Sequence, residues 1–101
     1  MIDGYLLNMR VFNGVSDSKG QALKPLEESA EVFGAWQEFD SMRNVPAWMD
    51  MRDDLIDECM DTVQAIANLL AAVGATQGDV DAAIKRMDER NGNRGRFRNG
   101  C

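Results

Sequence analysis

The chain has 101 residues, 45% of them hydrophobic and 28% charged, which predicts one globular domain rather than a disordered chain. It contains no histidine. That excludes Ser-His-Asp and Cys-His catalysis and leaves oxygen as the main ligand for any metal, which points to magnesium or manganese rather than zinc. The formal net charge of −6 is uneven: Lys85, Arg86, Arg90, Arg94, Arg96 and Arg98 against Asp88 and Glu89 give residues 85–101 a charge of +4, leaving −10 on the rest.

In chain order, residues 1–13 are apolar enough for a short helix over Asp3 to Phe12, with a strand over Tyr5 to Val11 as the alternative. Gly14 to Gly20 is turn-rich. A long helix is predicted from Gln21 to Asp40, with an apolar stripe of Leu23, Leu26, Ala30, Phe33 and Trp36 at helical spacing. Pro25 sits near its start, where a first turn tolerates it, and predicts a kink if the helix begins earlier. Ser41 to Pro46 reads as a loop. A second long helix runs from Ala47 to Val73, its stripe being Ile56, Cys59, Val63, Ile66, Leu70 and Val73, and Gly74 stops it. Thr76 caps a third helix, with Asp79 three residues on as the acid of a capping box. This helix runs to Arg90 and buries Val80, Ala83, Ile84 and Met87, with Asn91 and Gly92 ending it. Residues 92–101 read as a mobile basic tail.

The fold class is therefore all-α: an antiparallel helical bundle of three to four helices in a single domain over residues 1–101. So short a chain cannot cover its own apolar faces well, so completion by dimerisation or tetramerisation is expected. No apolar run reaches the ~18 residues of a membrane helix, and no basic stretch followed by an apolar core marks a signal peptide. Two cysteines 42 positions apart do not make a disulfide framework and suit a reducing cytoplasm. The acidic body argues against a nucleic-acid binder, whose basic charge should dominate one face. It fits a protein that gathers cations with one part and phosphates with another, although a solvated acidic surface with a basic tail gives the same pattern.

The carboxylates carry the chemistry. Glu28 and Glu31 lie three apart on the first long helix, and Glu58 and Asp61 three apart on the second, so each pair shares a face. Antiparallel packing with these faces opposed brings four carboxylates together, and Glu27 can join them. Like charges so gathered raise one another's pKa, a penalty that divalent cations remove. Beyond Asp61 the same stripe passes through Ala65 and Asn68, which leaves room and an amide for a ligand. Cys59 lies between Glu58 and Asp61 but on the core-facing stripe, as a small buried hydrophobe.

The pattern Glu27-Glu28-Ser29-Ala30-Glu31, 26 residues, then Glu58-Cys59-Met60-Asp61 resembles the EExxE…ExxD signature of MazG-like nucleotide pyrophosphohydrolases, in the all-α NTP pyrophosphatase superfamily. Lys24, Asn68, the segment Ala67 to Leu70 with Gly74, and the stretch Arg90 to Phe97 add to the likeness, which covers about residues 19–97. The resemblance implies magnesium-dependent hydrolysis of a nucleoside triphosphate to the monophosphate and pyrophosphate, with manganese as a second choice of metal. It assigns Glu28, Glu31, Glu58 and Asp61 to the metal. Glu31 and Glu58 become the catalytic candidates, with Glu31 taking the proton of the attacking water. Lys24, Glu27, Asn68, Lys85, Arg86, Arg90 and Arg94 become the substrate-binding candidates. Trp36, Trp48 and Phe97 are candidate stacking surfaces for a base, Trp36 being the one that falls on the apolar stripe. The expected partners are the nucleotide and a second copy of the chain, in the cytoplasm of a bacterium or of a phage host, with neither nucleic acid nor membrane.

Three rival readings remain. A phosphoribosyl-ATP pyrophosphohydrolase shares the acids, but such proteins usually carry a histidine four after the motif aspartate, where this chain has Ala65. A non-catalytic helical interaction module would leave the acids facing separate solvent. An inactive relative would bind nucleotide as a sensor.

Overall fold

The computed structural model of the chain describes residues 3–97; Met1, Ile2 and the end of the expected tail, residues 98–101 with Cys101, lie outside the described residues. The regular structure among them is three helices: α1 (Lys19–Ser41), α2 (Trp48–Ala72) and α3 (Gln77–Asn93). The chain forms two compact units, Met9–Val73 and, separately, Met1–Asn8 with Gly74–Cys101. No described helix is long and apolar enough to cross a membrane.

The first unit is a hairpin of α1 and α2. Ser18 caps α1 by accepting from the Gln21 N–H at 3.3 Å, which starts the helix two residues earlier than expected and puts Pro25 inside it. The helix continues through Pro25, which is half-buried. The turn at residues 42–47 reverses the chain through short backbone bonds, Val45 N–H to Met42 O and Trp48 N–H to Val45 O, both 3.1 Å. Aromatic packing closes this end. The Phe39 and Trp48 rings lie 5.9 Å apart, and the Arg43 guanidinium sits 4.7 Å over Phe39 while its Nε meets Asp40 at 2.7 Å. Trp48 is thus a packing residue of the turn. Val73 caps α2, and Gly74 adopts φ +81°, the left-handed conformation that ends the helix where expected.

The line along which α1 meets α2 is not the predicted one. The less exposed positions of α1 are Gln21, Pro25, Glu28, Val32, Ala35 and Phe39; those of α2 include Met51, Leu55, Glu58, Thr62, Ala65 and Leu69, flanked by Cys59, Val63, Gln64, Ala67 and Asn68. Steps of four and three alternate along α1, while α2 turns a broader face to it. The expected α1 stripe faces outward: Leu26 is 67% exposed, Phe33 59%, and Leu23, Ala30 and Trp36 are exposed too. On α2, Ile56, Ile66, Leu70 and Val73 are also exposed, while Cys59, a free thiol, and Val63 are half-buried. Trp36 is stacked on Phe33 at a centroid distance of 6.1 Å, outside any core. The seam mixes apolar residues (Val32, Phe39, Met51, Leu55 and Leu69) with small and polar ones (Ala35, Ala65, Gln21, Glu28, Glu58 and Thr62), and leaves a second apolar face uncovered.

The predicted helix over Asp3 to Phe12 does not form. Residues 4–12 are irregular, and the backbone of Arg10 and Phe12 bonds to side chains of α2 instead. So short a segment gains too little from its own hydrogen bonds to hold a helix in water. In the second unit, α3 begins with the expected capping box: Thr76 Oγ1 accepts from the Asp79 N–H at 3.1 Å, and Asp79 accepts from the Thr76 N–H at 2.9 Å. These bonds hold the Asp79 carboxyl below its ordinary range. The helix passes the expected stop at Asn91-Gly92 and ends three residues beyond Arg90. The residue with positive φ (+69°) is Gly95, and Arg96 N–H to Asn91 O and Gly95 N–H to Gly92 O, both 3.0 Å, complete a Schellman motif there. Of the four residues expected to be buried on α3, Val80 is half-buried and Ala83, Ile84 and Met87 are exposed, since among the described residues this unit holds no second helix to cover them.

Candidate functional site

The seam brings the two acidic pairs together. Carboxylate oxygens of Glu28 and Glu31 on α1 and Glu58 on α2 lie within 4.8 Å of one another. Glu28 and Glu58 occupy the facing repeat positions and are half-buried, while Glu31, one turn on from Glu28, is exposed. Asp61, one turn on from Glu58, adds its charge to both half-buried acids. Both titrate above the ordinary carboxylate range. For Glu28 the causes are lost hydration in the seam, then the charge and hydrogen bonding of Glu31 and the charge of Asp61, partly offset by Lys24. For Glu58 lost hydration again comes first, then hydrogen bonding with Glu31 and the charges of Glu31, Asp61 and Glu28. The Glu58 Oε2 atom is buried and has no hydrogen-bond partner. A buried, unpartnered carboxylate oxygen among like charges costs free energy as the chain stands.

Two hollows open on this cluster from opposite ends of the acidic stretch. The larger, about 540 Å³, lies toward the start of α1. It is walled by Gly20, Gln21, Leu23, Lys24, Glu27 and Glu28 of α1, by Asp61, Gln64, Ala65 and Asn68 of α2, and by Phe12. A volume of that order suits a small organic ligand. The smaller, about 320 Å³, is bordered by Glu31, Gly34, Ala35, Glu38, Asp54, Asp57 and Glu58. Glu27 lies on the rim of the larger hollow and pairs with Lys24 at 3.2 Å, both being more than half exposed. Such an exposed pair contributes little to stability and leaves the lysine free to exchange partners.

Ala65 and Asn68 are the two buried residues among those described. Asn68, at 4% exposure, does not face open water. Its Oδ1 accepts from the Phe12 N–H at 3.0 Å and from Gln64 Nε2 at 3.1 Å, and Gln64 Nε2 also donates to the Arg10 carbonyl at 2.6 Å. Lys85, Arg86 and Arg90 lie on α3 and Arg94 is its C-cap, in the second unit, where Lys85 borders a hollow of that unit with Asp81, Asp88 and Glu89. Phe97 lies in the same unit and is partly exposed. Gly20, Gln21, Leu23, Gln64 and Phe12 are wall residues that the sequence reading did not place in the site, and Phe12 is the one aromatic among them. Its signal would have been an aromatic at the end of an apolar segment too short to be a stable helix.

Compared with known proteins, the chain matches no protein-family model, no curated protein and no solved structure.

Proposed function

We propose that the hairpin is the catalytic unit of a magnesium-dependent nucleoside triphosphate pyrophosphohydrolase of MazG-like type, cleaving between the α and β phosphorus atoms to give the monophosphate and pyrophosphate. The observation that carries this reading is the convergence of Glu28, Glu31 and Glu58 within 4.8 Å, from two helices whose acidic motifs are separated by 26 intervening residues. The donor set fits a hard divalent cation, being all oxygen, and the orphaned Glu58 Oε2 is a ligand atom with nothing else to bind. Glu28, Glu31, Glu58 and Asp61 would hold magnesium, or manganese in its place. Bound there, the metal would supply charge neutralisation on the phosphates and acidify the attacking water. Glu31, exposed and within 4.8 Å of both half-buried acids, would take the proton of that water. Lys24, on the wall of the larger hollow, would exchange Glu27 for a phosphate oxygen. Such a substrate belongs to the cytoplasm, where the free Cys59 thiol is also at home.

The same reading includes self-association through the outward faces of α1 and α2. Leu26, Phe33 and Trp36 on α1 and Ile56, Ile66 and Leu70 on α2 stand exposed, an apolar face that a second copy would cover.

The deciding experiment is pyrophosphate release from a panel of canonical, deoxy and modified triphosphates and phosphoribosyl-ATP, with and without magnesium, beside Asp61→Ala. Magnesium-dependent release that the substitution abolishes supports the reading, and the preferred substrate separates the two pyrophosphohydrolase classes. No release from folded protein in magnesium refutes it in favour of a nucleotide sensor or interaction module.

A further inference from the structure

The segment preceding α1 is held in an unusual way. It has no regular structure, yet two of its backbone groups are fixed by side chains more than fifty residues away: the Arg10 carbonyl by Gln64, and the Phe12 N–H by Asn68. The two anchors sit one turn apart on α2 and are bonded to each other at 3.1 Å. The Asn68 acceptor therefore already serves two donors within the protein, and the residue is 4% exposed. An amide so engaged is poorly disposed to contact a ligand directly. Phe12 shows the reverse, the residue being 62% exposed although its own N–H is pinned to a buried residue. It stands on the wall of the larger hollow, whose lining turns from apolar at Leu23 and Ala65 to charged at Lys24, Glu28 and Asp61. A nucleotide has this polarity along its length, with a flat apolar-faced base at one end and a polyphosphate at the other.

We propose that residues 9–15 form a strap, pinned by Gln64 and Asn68, that holds the Phe12 ring as the stacking platform for the base of the nucleotide, with Asn68 a positioning residue and not a nucleotide contact. The inference rests on the hydrolase reading of the acidic cluster. It replaces Trp36, Trp48 and Phe97 by a residue from the stretch that the family resemblance does not cover. Stacking is tolerant of base identity, so Phe12 sets affinity for nucleosides as a class.

The test compares binding of a panel of α,β-imido nucleoside triphosphates with binding of inorganic triphosphate, both in magnesium. Phe12→Ala should weaken nucleotide binding about tenfold, the order of one lost base-stacking contact, and leave inorganic triphosphate unchanged. Phe12→Tyr should bind as the parent does. Asn68→Leu should repeat the nucleotide loss and open the Arg10–Val11 bond to trypsin. Asn68→Asp, which keeps the acceptor, should restore strap protection, and this arm decides the positioning role if the leucine variant does not fold. If Phe12→Ala binds nucleotides as tightly as the parent while both bind inorganic triphosphate, the platform is wrong and the hydrolase reading stands. If Asn68→Leu folds and loses inorganic triphosphate equally, Asn68 is not a positioning residue of the strap. If the parent binds neither ligand, the hydrolase reading and the platform fall together.

Discussion

Replacing Glu58 by glutamine separates two opposed effects of its carboxylate. Without a cation, Glu58 is crowded by Glu31, Asp61 and Glu28, and its pKa is raised. At neutral pH the ionised group therefore opposes folding, and Glu58→Gln should raise the melting temperature of the metal-free protein. With magnesium the sign reverses. A cation bound only by the folded seam stabilises it by about 2.7 kcal/mol at a hundredfold excess over its Kd. For a chain of 101 residues that is a rise of roughly 10–20 °C. Losing a side chain that only holds a metal ligand in place costs about 10–100-fold in affinity, so loss of a direct ligand should cost on the order of a hundredfold. The excess then falls to about Kd, and the magnesium-induced stabilisation of Glu58→Gln to about a sixth of the parent value. Scanning calorimetry with and without magnesium, against sodium at matched ionic strength to remove screening, measures both effects. The reasoning is refuted if Glu58→Gln melts no higher than the parent without metal and gains as much from magnesium.

The other expectations are as follows. Asp61→Ala should abolish magnesium-dependent pyrophosphate release while leaving the helical circular dichroism unchanged, since Asp61 is exposed and bears on the cluster through its charge. The metal-free protein should grow more stable as the pH falls from 7. The raised pKa values of Glu28 and Glu58 mean that the folded state takes up protons before the unfolded chain does at the ordinary 4.5. The lowered Asp79 acts oppositely, its contribution being present above the ordinary 3.8 and lost below its folded value, so melting temperature against pH should peak between these regimes and not at pH 7. Thr76→Ala removes one arm of the capping box and should cost about 1 kcal/mol, read as lost helicity or a lower denaturation midpoint. Phe33→Glu, on the outward face of α1, should shift sedimentation toward the monomer, and an unchanged profile would place the interface elsewhere.

The helices themselves were legible because their signals are local. Ser18 accepts from the Gln21 amide, Gly74 takes a positive φ, and Thr76 with Asp79 closes a reciprocal box, each within four residues of chain. The acidic cluster was legible for a related reason: i, i+3 spacing on two helices needs only an antiparallel turn to converge. The packing faces were not legible, because a helix presents its most apolar line to whatever partner gains most from it, and nothing local says whether that partner lies in the same chain. Leu26 and Phe33 make a better apolar stripe than Pro25, Glu28 and Ala35, yet the latter face α2. The strap was hidden for the same reason, since the bonds that hold Arg10 and Phe12 come from Gln64 and Asn68.

The reversal of faces has a physical consequence for how this chain can be stable at all. Its intramolecular seam carries two half-buried carboxylates with raised pKa values, one of them with an orphaned buried oxygen, and its only two buried described residues are an alanine and an asparagine. A seam whose apolar residues, Val32, Phe39, Met51, Leu55 and Leu69, are only half-buried supplies limited apolar burial to offset the entropy of ordering. The outward stripe holds aromatic and aliphatic surface that could add to it, at Leu26, Phe33 and Trp36 on α1 and Ile56, Ile66 and Leu70 on α2. Under the proposed reading the two faces divide the labour. A second copy covers the apolar stripe and supplies most of the stability, which frees the inner seam to hold acids for a cation instead of packing tightly. Stability should then depend on both protein concentration and magnesium, because each binds the folded hairpin and not the unfolded chain. Dilution without magnesium should unfold the protein. Restoring either the concentration or the cation should refold it in part, and restoring both should add their effects, since the two act on opposite faces of the same helices.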